Sequence, residues 1–310
     1  MHSGRLLLVL GVVAAMAGVG AGAGCSDSRG IKDAVGAEPI ARGEAPGYAE
    51  TAAKYNQRVQ RLDRLFARTI IRIDYEDPAA GGGASGEARH EQGDGTLQII
   101  RPDRVALSLN KAGKRLFWFG ADASRFWWFD LIDERVGMVA PHERYRQIMK
   151  SEVGLGEGGG GGVHPLDLVL LLGVVPLPST GQTQWSSDGR LLGLTAAARE
   201  GGLQRVWVNP ETFEPVKVEL YEAGEQGDSP SRVQLVVVAD LAGYEYVQIR
   251  GIGGGGPRVA TRAAVSHTKT GTDLRLDLSE MEDGFGRMDE RAFDFGALVK
   301  ELAVERVIER

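Results

Sequence analysis

The sequence predicts a β-rich α+β domain built on a single antiparallel sheet, and three observations support this reading. Short runs of β-branched and aromatic residues recur at roughly 10-residue spacing, separated by Gly, Pro, Asn and Asp turn signals. Most connections between them are too short for the crossover helix that parallel pairing needs. Helical periodicity is confined to three places: before the first strand, in an apolar stretch near the middle, and at the end.

The N-terminus has a different character. Arg5 precedes an apolar run over 6–19, and Gly22-Ala23-Gly24 stands directly before Cys25. A positive start, a short apolar run and small residues at a cleavage point make a secretory signal. The run is too short and too glycine-rich to span a bilayer well. Cys25 is the only cysteine, and a thiol that cannot pair within its chain needs another reason to be present. The segment resembles a bacterial lipobox, with Gly22 where Leu is common. Residues 1–24 are therefore expected to be a lipoprotein signal peptide, with Cys25 as the acylated N-terminus. Residues 25–47, rich in Gly, Ala and Pro and without periodicity, read as a flexible tether, and 48–310 as the folded domain. A net charge of −6 argues against a nucleic-acid partner and offers no polybasic route to a membrane surface. Membrane attachment is thus expected to be covalent or apolar.

Along the folded part, Ala52, Tyr55, Val59, Leu62 and Phe66 recur at helical spacing and run into a strand over 69–75. A Gly-rich loop at 78–86 follows. Strands are then expected at 95–100, 105–110, 115–119, 125–131 and 135–140, and later at 191–196, 203–209, 216–222, 232–238, 244–250, 258–267 and 273–278. Two stretches interrupt them. Residues 154–162 are almost all glycine, and 166–177 are almost all apolar. Pro165 as a start and Gly173 as a stop predict a short buried helix there. Phe295, Leu298, Val299 and Leu302 mark a last helix.

Few motifs carry chemistry. Gly154-Leu155-Gly156-Glu157-Gly158-Gly159 matches a dinucleotide fingerprint in letters but lacks the βαβ context, so no cofactor is expected. Gly83-Ala84-Ser85-Gly86 falls short of a nucleophile elbow because Glu87 follows. His90, His142, His164 and His267 are widely separated and show no metal-ligand spacing. With no nucleophile–base set readable, the chain is read as a non-enzyme. The aromatic runs 117–119 and 126–129 are more informative. Alternation sends Phe117 and Phe119 to one face and Leu116 and Trp118 to the other, with Phe126 and Trp128 opposed to Trp127 and Phe129. Both faces are then apolar, either as a core covered on both sides or with one face lining a cavity.

Several stretches carry a family resemblance: Gly95-Thr96-Leu97-Gln98-Ile99-Ile100-Arg101-Pro102, the aromatic pair of strands, and Val208-Asn209-Pro210-Glu211-Thr212-Phe213-Glu214-Pro215. In this order, behind a lipobox and a helix, they are similar to the LolA/LolB-like lipoprotein-sorting superfamily. The resemblance implies a strongly curved antiparallel sheet, an incomplete β-barrel, with helices closing its concave side over a cavity for acyl chains. Because the carrier of that superfamily is soluble and the receptor lipid-anchored, Cys25 fits the receptor-like type. No counterpart is read for the receptor's exposed leucine loop or the carrier's lid arginine. The expected function is an envelope lipoprotein, at the periplasmic face of the outer membrane, that binds acyl chains of lipids or lipoproteins. Phe117, Trp118, Trp127, Trp128, Leu170 and Leu171 are its candidate cavity residues. The alternative is a structural or interaction lipoprotein whose concavity is filled by its own helices. The helix within 166–177 is accordingly either a lid, swung on the preceding glycines, or a fixed plug.

Overall fold

The computed structural model describes residues 39–77, 87–132, 135–152, 163–223, 233–251, 255–268 and 272–310. Cys25 and the glycine-rich segments at 83–86 and 154–162 lie outside these described residues.

Helix α1 (Tyr48–Val59) buries Tyr48, Thr51, Ala52, Tyr55 and Val59, which fall on one face at spacings of three and four. It ends before Leu62 and Phe66, which the periodicity had assigned to it. Both stay buried, Leu62 in the turn and Phe66 in strand β1 (Arg64–Asp77). Pairing of Arg64 with Ile100 starts the sheet there and takes these residues out of the helix.

Strands β2 (Glu87–Ile100), β3 (Arg104–Lys111), β4 (Lys114–Ala121), β5 (Arg125–Asp130) and β6 (Val136–Pro141) form a first meander. Helices α2 (Tyr145–Glu152) and α3 (Pro165–Leu171) lead to a second. This comprises β7 (Gln182–Trp185), β8 (Leu192–Ala197), β9 (Leu203–Val208), β10 (Pro215–Ala223), β11 (Val233–Tyr246), β12 (Arg258–His267) and β13 (Thr272–Glu282). Helix α4 (Phe295–Glu301) and β14 (Arg306–Glu309) end the chain. The sheet order is β14-β6-β5-β4-β3-β2-β1-β13-β12-β11-β10-β9-β8-β7, so the meanders meet where β1 pairs with β13. Among the described strands every ladder is antiparallel except β14 with β6, which makes the sheet mixed. The segments expected at 232–238 and 244–250 join through one long strand, β11. Its apparent turn is a local kink. Gly243 has φ +71°, and a Cβ there would lie 2.4 Å from Thr261 Oγ1, so only glycine fits.

The curvature follows from α3. In the sheet order β3 and β10 stand six strand spacings apart, roughly 29 Å if the sheet were flat. The seven residues of α3 extend only about 10 Å, yet α3 touches β3, β4 and β10. The sheet therefore wraps around α3 without closing, with β14 and β7 as its two edges. Apolar side chains pack on both sides. The concave side holds the larger core, with Leu107, Phe117, Phe119, Trp128, Val218 and Leu241 around α3 and α1. The convex side of β3–β6 carries a second core of Trp118, Trp127, Phe129 and Val139 under Phe293, Phe295, Leu298 and Leu302.

The mouth of the sheet under helix α3

Helix α3 lies apolar side down across the open sheet. Leu166, Leu168, Val169 and Leu171 of the helix, with Leu172 at its C-cap, are buried, whereas Leu170 and Asp167 face partly outward. Gly173 ends it in the left-handed region, at φ +64°, with its N–H donating to the Leu170 carbonyl.

Polar groups hold both ends. At the N-terminus the backbone N–H of Leu166 donates to Nδ1 of His164, the N-cap, over 3.1 Å. Nε2 of His164 lies 3.1 Å from Nδ1 of His142, and Nε2 of His142 lies 2.7 Å from the carbonyl oxygen of Asp122. A carbonyl only accepts, so His142 donates from Nε2 and accepts at Nδ1. His164 then donates from Nε2 and accepts at Nδ1. One tautomer of each ring satisfies the whole relay, and both rings are neutral. Burial pushes the His164 pKa down to about 2, and the charge of Arg199, like any proton taken up by His142, acts in the same direction. The His142 pKa is also lowered, chiefly by burial. Phe126 and Tyr145 pack edge-on against the His164 ring, at centroid distances of 5.4 and 4.7 Å.

At the C-terminal end the contacts come from α1. Tyr55 donates its hydroxyl to the Gly173 carbonyl over 2.9 Å, and the Arg58 guanidinium donates to the same oxygen. Burial raises the pKa of Tyr55, so the hydroxyl keeps the proton it donates. Asn56 pairs with the backbone of Leu177 in both directions, at 2.8 and 2.7 Å, and the Tyr48 hydroxyl donates to the Pro178 carbonyl. A short helix with an apolar underside is thus fastened at both ends by hydrogen bonds.

The structure distributes the six candidate cavity residues over two faces. Phe117 and Trp128 are buried on the concave side, facing the region of α3. Trp118 and Trp127 lie on the convex side, where Trp127 packs 6.2 Å from Phe295, so they share no concavity with the other two. Leu116 departs from simple alternation. The register slips between Leu109 and Asn110, and the resulting bulge leaves Leu116 in the same core as Phe117. Leu171 is fully buried and Leu170 only partly. Sequence spacing gave no sign of the His142–His164 pair or of Arg199. The only hint was His164 standing directly before Pro165, the place of an N-cap. Among the described residues no group of three His, Cys, Asp or Glu side chains is arranged to hold a metal ion.

Two hollows flank α3. A groove of about 390 Å³ runs along Leu170, Pro176, Leu177 and Pro178 and faces Ala197, Arg199 and Gln204. A smaller cavity of about 70 Å³ lies beside Tyr145, His164 and Asp167 and is bounded by Arg199, Tyr221 and Glu222. The larger one has the volume of a small-ligand site, and the smaller one that of a few waters.

No protein-family model matches the chain, and no curated protein sequence matches it. Solved structures do. A DUF1329 family protein from Desulfovibrio piger superposes with a TM-score of 0.53 at 12% identity, over 81% of this chain and 97% of that one. The LolA superfamily protein NE2245 from Nitrosomonas europaea gives 0.41 at 17% identity, over 76% and 93%. A putative outer membrane lipoprotein-sorting protein domain from Vibrio parahaemolyticus gives 0.42 at 16%, over 81% and 97%. At 12% identity the likeness to the DUF1329 structure is one of fold.

Proposed function

We propose that the protein is a lipid-anchored envelope lipoprotein that takes an acyl chain into the concave side of its sheet, in the place α3 fills in this structure. The observation that carries this reading is α3 itself: an apolar helix laid across an open sheet and fastened by hydrogen bonds at its two ends. Magnitudes decide what could displace it. Re-exposing its five buried aliphatic side chains costs about 2 kcal/mol each, or about 10 kcal/mol in all. An acyl chain regains about 0.8 kcal/mol per buried methylene. A chain of roughly a dozen carbons or more therefore offsets the loss, which suits a fatty-acyl ligand and excludes short acids. The full burial of Leu168, Leu171 and Leu172 supports the second reading, in which α3 is a permanent plug and the protein an interaction module.

Tryptophan quenching by a spin-labelled hexadecanoate distinguishes the two. A displaceable α3 brings the label onto Trp128, so quenching is expected in the native chain and is lost in Trp128→Phe. Trp118 and Trp127, on the other face, should contribute little. Absence of saturable quenching leaves the plug.

A further inference from the structure

The groove beside α3 is apolar along one wall and carries a cation at its end, and this asymmetry specifies a ligand. Arg199 sits at the tip of the β8–β9 hairpin, whose turn is closed by backbone bonds from Ala198 N–H to the Gly202 carbonyl, at 2.9 Å, and from Gly202 N–H to the Arg199 carbonyl, at 3.0 Å. Its side chain is half-buried and borders both the groove along Leu170 and Leu177 and the small cavity beside His164. Among the described residues no salt bridge to the Arg199 guanidinium is found. The nearby carboxylates have other relations: Glu222 lies 3.9 Å from Arg146, and Asp167 lies in the first turn of α3. His142 and His164, which feel the charge of Arg199, are neutral and tied up in their own relay.

We propose that this seam between α3 and the β8–β9 hairpin is the mouth of the acyl site, and that Arg199 binds the anionic head of the ligand there while its chain passes Leu170 and Leu177 into the concave side. The inference rests on the acyl-binding reading above and adds the ligand's class: a single-chain amphiphile whose head is a carboxylate or a phosphate. The charge and the fork of donors on a guanidinium suit both heads. Apart from Gln204, the residues that line the groove beyond Arg199 are apolar and none is charged, so a second charge along the chain would be left unpaired. Among the described residues no hydrogen bond depends on the Arg199 side chain, so its replacement should leave the fold intact.

The test is displacement of spin-labelled hexadecanoate from the purified full chain by palmitate, hexadecanol and hexadecyl phosphate. Palmitate or hexadecyl phosphate should bind about tenfold or more tighter than hexadecanol, as expected of a charge-assisted contact. Arg199→Gln should erase that difference, and Arg199→Lys should keep most of it. Preference for hexadecyl phosphate supports the proposal with a phosphate head, and preference for palmitate supports it with a carboxylate head. If hexadecanol binds the native chain as well as palmitate does, or if Arg199→Gln binds palmitate undiminished, the head site is refuted while acyl binding stands. Binding of none of the three refutes both.

Discussion

His164 stays uncharged in the folded protein because each of its ring nitrogens already has a role. Nδ1 accepts from Leu166, and Nε2 donates to His142. Protonating Nδ1 would point an N–H at an N–H, and protonating Nδ1 of His142 would do the same to the bond between the rings. The surroundings add to this, since Arg199 repels a proton on either ring, whereas Asp122 and Glu143 favour one on His142. The sign of the pH effect follows. In the unfolded chain both histidines take up a proton near pH 6.5, whereas folded His164 resists protonation down to about 2. The unfolded state then holds more protons, so stability is unaffected above neutrality and falls as pH drops below about 6.5. The limiting slope is about 1.4 kcal/mol per pH unit for each histidine. Thermal unfolding followed between pH 7.5 and pH 4.5 (about two units below the ordinary histidine value) should show this acid limb. His164→Asn, which keeps a capping acceptor but no titrating ring, should flatten it.

At the scale of the element, α3 separates two leucines that sequence treated alike. Leu171 is fully buried under the helix, whereas Leu170 stands on its flank at the groove. A carboxylate at position 171 would be buried without a partner, at a cost of several kcal/mol, so Leu171→Asp should lower the unfolding midpoint sharply by circular dichroism. Leu170→Asp should fold normally and lose acyl binding alone. Equal loss of stability in both variants would contradict the orientation of the helix. The limits of α3 were legible because Pro165 and Gly173 are local signals, each acting through its own backbone angles. The aromatic strands were legible because alternation of side chains is local too. What escaped depends on contacts between distant residues. Asp240 and Gly243 read as a turn, but pairing on both sides draws them into β11. Four residues of β14 carry too little pattern to read and exist through pairing with β6. The relay joins histidines 22 positions apart, and nothing in their spacing marks it.

On the scale of the whole molecule, the part before α1 bears on how the domain meets a membrane. Residues up to Gly47 read as tether, yet the stretch just before α1 is docked. Ile40 N–H donates to the Asp188 carbonyl at 2.8 Å, Arg42 donates to Gly189 and lies over the Trp185 ring, and Thr183 donates to the Pro46 carbonyl. Bonds to a hairpin turn leave no periodic trace, which is why this stretch looked featureless. Residues 40–46 thus run beside the β7–β8 hairpin. None of the described helices is long and apolar enough to cross a membrane, and a net charge of −6 supplies no electrostatic attraction to anionic lipid. A single acyl chain holds a protein only marginally, so the anchoring proposed at Cys25 takes a second signal, and without a polybasic patch that signal is a second chain. Cys25→Ser should therefore release the protein from the membrane fraction under a carbonate wash while leaving its circular dichroism unchanged. Membrane partition equal to that of the native chain would show that the folded sheet, rather than Cys25, makes the attachment.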